Sequence, residues 1–182
     1  MPARIAPVTL ASAPEATRPV LEGIKKALGM VPNLYATVGH SPAALKGYLA
    51  FTEALSAGNL SAREAELLAL HLSELNGCSY CLSAHTALAG RAGASGDEAA
   101  AAREGQSASP RERAIFALGR KVLRTGGARA GRELAEAREA GLTDGEVIEV
   151  LAHVAARVFT NATAILAETE IDFPKAPRLP SN

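Results

Sequence analysis

Apolar residues recur at helical spacing along most of the chain. In RPVLEGIKKALGMVP, Val20, Leu21, Ile24, Ala27 and Leu28 follow an i, i+3, i+4 pattern, with Gly29 and Pro32 ending the run. Pro14 and Pro19 stand where helices start, since a first turn tolerates a missing N–H. A second helix is predicted after HSP, with Leu45, Tyr48, Leu49, Thr52 and Leu55 on one stripe and Gly58-Asn59 as its stop. LSAREAELLALHLSEL predicts another over 61–75, opened by a capping box in which Ser61 and Glu64 satisfy each other's backbone donors. Asn76-Gly77 breaks that helix, and the next is predicted over 78–89. RAGASGDEAAAAREGQSASP reads as a polar, small-residue loop containing a short helix. Further helices are predicted over 110–124, 131–140 and 143–168, the last begun by a second box, Thr143 with Glu146. The tail DFPKAPRLPSN is too rich in proline to be helical.

These elements predict one all-α domain over 1–182. It comprises N-terminal helices in 14–57, a helical hairpin in 60–90, scaffold helices in 110–168 and an extended tail over 172–182. Composition supports the class: the 182 residues are 48% hydrophobic but only 4% aromatic, with no Trp, which favours closely packed helices over a β-sandwich. Charge narrows the partners, because 19 Lys and Arg balance 19 Asp and Glu, leaving no basic field for nucleic acid. No uninterrupted apolar stretch reaches ~18 residues, so no membrane span is expected. Ala11-Ser12-Ala13 resembles an export cleavage site, but the apolar run from Ile5 to Leu10 is short and broken by Pro7. The expected location is cytoplasmic, where thiols are kept reduced.

A shift of 82 residues lays LSAREAELLALH on LTDGEVIEVLAH, pairing Leu60 with Leu142, Ser61 with Thr143, Glu64 with Glu146 and His71 with His153. This weak internal duplication aligns both capping boxes. It sets Cys78, Cys81 and His85 opposite Thr160, Thr163 and Ala167, so the second copy reads as scaffold. That copy is apolar on several faces, through Val147, Ile148, Val150, Leu151, Val154, Val158, Phe159, Ile165 and Leu166. A core stripe needs only ~100° of the helix surface, so the surplus predicts an interface between subunits.

Both cysteines of the chain lie in NGCSYCLSAH. On a helix over 78–89, Cys78, Cys81 and His85 stand at i, i+3 and i+7 and face one side. First-turn N–H groups and the helix dipole favour thiolate, lowering a pKa that is otherwise ~8.5. His85, one turn beyond Cys81, is placed to take its proton. Cys81 therefore reads as the better-activated nucleophile and Cys78, at the helix mouth, as the one open to a partner. If Asn76-Gly77 folds the chain back, a residue ~16 Å up the preceding helix lies beside one ~12 Å down the next, which pairs Glu66 with His85. A carboxylate between Ala65 and Leu67-Leu68 is costly to bury without such a partner. His71, nearer the hinge, and Tyr80, between the cysteines, are secondary candidates whose plain reading is helix packing.

Glu66, eleven intervening residues, Cys78-Ser79-Tyr80-Cys81, three more and His85 resemble the active-site signature of the alkylhydroperoxidase D (AhpD-like) family, within the carboxymuconolactone decarboxylase superfamily. VPNLYATVGHSP, LSAREAELLAL, ELNGCSYCLSAH, VFTN and TEIDFP resemble its peroxidase-related branch, over nearly the whole chain. The resemblance implies an AhpD-like helical bundle with related halves, assembled as a trimer or hexamer, and a thiol-dependent peroxidase. It gives Cys81 the peroxidatic role, Cys78 the resolving and partner-facing role, and Glu66 with His85 the proton relay. A peroxide would be the substrate, an external small or protein-borne dithiol the reductant, and no cofactor would be needed. The founding members carry histidine where this chain has Tyr80, so their full relay and lipoyl-linked reductant do not transfer directly.

The expected chemistry is oxidation of Cys81 to a sulfenic acid and its condensation with Cys78 to a disulfide. Helical i, i+3 positions lie ~5–6 Å apart at Cβ and a disulfide needs ~3.5–4.5 Å, so the first turn must adjust. Zinc competes for the same atoms, since Cys78, Cys81, His85 and Glu66 are acceptable ligands, although the usual second hairpin pair is missing. A general thiol-disulfide oxidoreductase, a carboxymuconolactone decarboxylase-like enzyme and a redox-sensing module complete the alternatives.

Overall fold

Helix boundaries follow the local signals in the sequence. The computed structural model describes residues 3–179, and among these are nine α-helices and no strand. α1 (Arg18–Leu28) carries proline in its first turn and stops before Gly29, and α3 (Pro42–Ser56) is capped by Ser41. Both anticipated capping boxes are formed, Ser61 with Glu64 at the start of α4 (Ala62–Asn76) and Thr143 with Glu146 at the start of α9 (Asp144–Ala167). Between these lie α2 (Asn33–Val38), α5 (Ser79–Arg91), α6 (Gly96–Arg103), α7 (Pro110–Thr125) and α8 (Gly131–Glu139).

Three features differ from the sequence reading. The six-residue α2 fills what reads as a break after Pro32; it forms because Leu34, Ala36, Thr37 and Val38 are buried by the rest of the molecule. α5 begins at Ser79, leaving Cys78 as its N-cap rather than part of its first turn. Among the described residues, α9 is also long and apolar enough to cross a membrane, which the search for an uninterrupted apolar run did not reveal. Here α9 packs against α2, α3, α4, α5, α7 and α8.

α4 is the central element, in contact with α5, α6, α7 and α9. Its Leu67, Leu68, Leu70 and Leu72 join Ile115, Phe116 and Val150 in one apolar cluster, each fully buried side chain contributing roughly 1.5–3 kcal/mol. α7 approaches so closely that a Cβ on Gly119 would stand 2.7 Å from Leu68 Cδ1. A second cluster gathers Leu21, Leu34, Val38, Leu45 and Ala164 around Cys78, Tyr80 and Cys81. The cysteine turn thus lies at the seam, with Tyr80 and Cys81 in the second cluster and Leu82 in the first.

The tail is extended and tied down. Asn33 N donates to Asp172 Oδ2 (2.6 Å), Ala176 N to Ser83 Oγ (3.2 Å) and Arg103 Nη1 to the Pro177 carbonyl (2.6 Å). Residues 180–182 of the expected tail lie outside the described residues.

Candidate active site

Gly77 ends α4 in the left-handed region, at φ 68°, and this turn starts a new helix beside the old one. Cys81 N donates to Cys78 Sγ at 3.3 Å, so the first cysteine caps α5 with its sulfur. Both are free thiols and both are buried, with exposures of 1% for Cys78 and 2% for Cys81. The Cys81 thiol contact, aided by backbone N–H groups of Cys81 and Tyr80, holds Cys78 below the usual thiol range against the opposing effect of burial. The contact with Cys78 and burial push Cys81 up, with Asn161 and the Arg157 charge pulling the other way. The turn therefore favours ionisation of Cys78 over that of Cys81. This departs from the expectation that Cys81 is the better activated and Cys78 the more accessible. The later helix start gives Cys78 the anion-stabilising position, and packing covers both.

Behind the pair, Glu66 on α4 meets His85 on α5 across the hairpin, with His85 Nδ1 2.6 Å from Glu66 Oε2. The other ring nitrogen faces α9, where Arg157 Nη1 lies 2.5 Å from His85 Nε2. A guanidinium only donates, so Nε2 accepts and Nδ1–H donates to Glu66, which fixes the tautomer. Burial alone would raise the Glu66 carboxyl; His85 and Arg157 outweigh it and hold the group below its usual range. Arg157 Nη2 donates to Tyr48 Oη at 3.1 Å, completing a buried chain from Glu66 through His85 and Arg157 to Tyr48. Among the described residues, His85 makes no hydrogen bond to Cys81; its two ring nitrogens are taken by Glu66 and Arg157.

A cavity of about 230 Å³ opens onto Cys81, with His85 and Arg157 also in its lining. Leu28, Met30, Pro32, Leu34, Leu88 and Phe173 make it largely apolar, and Tyr35 and Tyr48 add hydroxyls. Burial pushes the Tyr35 phenol up to about 12, so it stays a hydrogen-bond donor at neutral pH. Cys78 does not line this space.

Residues 42–121 match the family model described as carboxymuconolactone decarboxylase family. Over the larger fold, the chain superposes on an AhpD-core, uncharacterized peroxidase-related protein from Ralstonia eutropha JMP134 with a TM-score of 0.84, at 24% identity over 93% of this chain and 92% of that one. A peroxidase-related protein from Silicibacter sp. TM1040 superposes with a TM-score of 0.79, at 21% identity over 93% of both chains. The debrominase Bmp8 superposes with a TM-score of 0.74, at 22% identity over 92% of this chain and 91% of its own. A cysteine-to-alanine variant of Bmp8 has been seen in complex with 2,3,4-tribromopyrrole. No curated protein matches the sequence. The fold is that of the AhpD-like proteins, and the carboxymuconolactone decarboxylase family match covers residues 42–121 of it.

Within this AhpD-like bundle the secondary candidates have structural partners. Tyr80 Oη accepts from Leu34 N at 3.2 Å and its ring meets Phe173 edge-on, so it braces the cavity wall. His71 contacts the Arg103 carbonyl through Nδ1 (3.2 Å) and packs on Phe116, with burial pushing its pKa down. It lies five residues from Glu66, about 140° around the helix, and so faces away from the pair. Among the described residues, no three His, Cys, Asp or Glu side chains converge with metal-ligand geometry.

Sequence reasoning missed Tyr48 as a polar partner and missed Arg157 and Asn161 altogether. Asn161 Nδ2 donates to Ser73 Oγ at 3.2 Å, and its Oδ1 accepts from Asn76 Nδ2 at 2.8 Å, fastening the end of α4. The available signal was a lone cation and a lone amide, one turn apart, inside the apolar run VLAHVAARVFTNATAIL.

Proposed function

We propose that this AhpD-like chain is a thiol-dependent peroxidase, an alkylhydroperoxidase-like antioxidant enzyme in which Cys81 meets the peroxide. One observation carries the reading: Cys81 faces an apolar cavity, and its thiol proton lies beside a neighbouring sulfur that caps the same helix. Moving that proton to Cys78 puts the anion on the sulfur that faces the cavity, and the nearby Arg157 charge favours the shift. Cys81 thiolate then attacks the terminal peroxide oxygen. The S–O bond forms as the O–O bond breaks, leaving a sulfenic acid and an alkoxide that takes one thiol proton and departs as alcohol. Cys78 attacks the sulfenic sulfur, the disulfide forms, and the expelled hydroxide takes a proton from solvent and leaves as water. Two electrons have passed from the pair to the peroxide. An external dithiol, small or protein-borne, returns them by thiol–disulfide exchange, so this cycle needs no cofactor.

Glu66 orients His85, the base that assists Cys81 once its Nε2 is free. The apolar cavity that meets Cys81 supports a small organic oxidant, and so favours peroxide reduction over a general thiol-disulfide oxidoreductase. The demand for a dithiol reductant favours a reducing compartment, the cytoplasm. Ile148, Leu151, Val158, Phe159, Ile165 and Leu166 form an exposed apolar face on α9, which we assign to a homo-oligomer, trimer or hexamer, testable by light scattering at micromolar protein.

The test is cumene hydroperoxide consumption with dithiothreitol, combined with dimedone trapping and mass spectrometry. Wild type should turn over; Cys78→Ser should yield one trapped sulfenic acid, on Cys81; Cys81→Ser should yield none. Trapping on Cys78 alone would reverse the assignment. The aromatic lining and the Bmp8 likeness support a second reading, reductive dehalogenation. There the pair would be oxidised to a disulfide as a carbon–bromine bond becomes carbon–hydrogen with release of bromide. Bromide release from a bromopyrrole, without peroxide consumption, would favour it.

A further inference from the structure

Arg157 is nine-tenths buried, yet among the described residues no carboxylate lies within ion-pair distance of it. Its partners are an imidazole and a phenol, neither of which brings negative charge, and its Nε–H is buried with no partner at all. An unpaired buried cation is costly, and the guanidinium lines the same cavity as Cys81. The walls around it are largely apolar, with Tyr35, Tyr48, Thr160 and the exposed Arg91 as polar members. This is the donor arrangement that a ligand carboxylate completes, because a planar fork pairs with two oxygens at once.

We propose that the cavity contains an anion subsite: Arg157 receives the carboxylate of a small organic acid whose apolar body fills the space beside Cys81. Resting on the peroxidase reading above, this makes carboxylate-bearing organic hydroperoxides the preferred substrates. The subsite also couples binding to chemistry. A guanidinium that turns to a carboxylate releases His85 Nε2, while Glu66 keeps the proton on Nδ1. The freed lone pair sits one helical turn from Cys81, on the same face of α5. The acid group of the substrate thereby arms the base that its peroxide group requires, and the resting enzyme keeps that base covered.

The experiment is calorimetric titration of the reduced protein with hexanoate and benzoate, compared with hexanol and benzyl alcohol as neutral counterparts. Each acid should bind at least ~10-fold more tightly than its alcohol, the ratio expected for a charge-assisted pair in a water-poor site. Arg157→Met should erase that ratio. Arg132→Met, which removes an exposed charge on α8 away from the cavity, should preserve it. On adding benzoate, the ¹⁵N resonance of His85 Nε2 should move as it loses the guanidinium.

Equal binding of acid and alcohol, or an undiminished ratio in Arg157→Met, would overturn the subsite. An unmoved Nε2 resonance at saturation would overturn the release of His85. Cumene hydroperoxide turnover with equal binding of acid and alcohol would remove the subsite and leave peroxide reduction standing. Arg157-dependent acid binding in a protein that consumes no peroxide would keep the subsite and remove the peroxidase.

Discussion

α4 and α9 begin alike and end differently. Each opens with a capping box, and Arg111 grips both capping glutamates, through Nε to Glu64 (2.7 Å) and Nη2 to Glu146 (2.5 Å). At Gly77 the first copy turns left-handed and restarts as α5 with a cysteine at its cap. At the equivalent Phe159 the second copy runs on unbroken, carrying Thr160, Thr163 and Ala167 where the first has Cys78, Cys81 and His85. On the proposed mechanism, reactivity in this bundle comes from the interruption, which creates free N–H groups and a dipole end, more than from the C-x-x-C spacing. The uninterrupted helix supplies what a break would have cost it: a rigid rail from which Arg157 and Asn161 reach into its sibling's site.

The sharpest way to break this comparison is to move the cysteines. In a Cys78→Ser/Cys81→Ser background, peroxide turnover should fall at least ~10³-fold, and adding Thr160→Cys with Thr163→Cys should not restore it, since mid-helix positions lack free N–H groups. Iodoacetamide profiles give the pH signature. Cys78 is held low, so wild-type alkylation should rise below the ordinary thiol value of ~8.5, whereas the transplanted pair should rise at or above it. Rescue by the transplanted pair would mean that spacing alone suffices.

Next in size are the supports. Glu66→Gln should slow the peroxide step by roughly 10-fold to 1000-fold and His85→Ala by at least as much, within the ~10²–10⁴ range for a positioned acid–base group. The double variant should lose little more than His85→Ala, because the residues act as a unit. Single-turnover rates from about pH 6 to 10 should show both variants recovering at high pH, where ionisation needs no base; a Glu66→Gln profile superimposable on wild type would remove the carboxylate from the mechanism.

Smaller effects test the break and the shared start. Gly77→Ala should cost about 1–2 kcal/mol in denaturant unfolding, the penalty of a Cβ in the left-handed region, with a parallel loss of Cys78 reactivity as the cap is disturbed. Arg111→Met should cost about 1 kcal/mol near neutral pH, discounted for partial exposure, and the difference from wild type should shrink as pH falls. The sign follows from Glu146, whose pKa is lowered to about 2 by the Thr143 backbone N–H, Arg111 and the Thr143 hydroxyl. Its folded pKa lies below the unfolded ~4.3, so its contribution is complete above that value and is lost as pH falls toward about 2. A pH dependence of unfolding in Arg111→Met identical to that of wild type would show that the clamp is ornamental.

The parts that were legible in the sequence are local. Capping boxes, the Asn76-Gly77 break and the hairpin register that brings Glu66 to His85 each depend on residues a few turns apart. α2 was not legible, because its six residues are held by burial rather than by propensity or by a side-chain cap. Nor was Arg157, which meets His85 across 72 positions of sequence; the periodicity of an apolar helix does not say which face will meet α5. Nor was the capping role of Cys78, since a shift of one residue in the helix start decides which cysteine receives the N–H groups.

Phe173, which walls the cavity over Cys81, is added to the growing chain about 90 residues later. At ~5–20 residues per second, a ribosome leaves the dithiol without that wall, and for much of the time without α9, for roughly 5–20 s. The nascent hairpin is then an unshielded pair of thiols, open to oxidants that the finished pocket would exclude by size and polarity. A disulfide formed at that stage would fix the first turn of α5 before its neighbours arrive. Correct maturation thus depends on reducing conditions during synthesis, before the first catalytic cycle takes place.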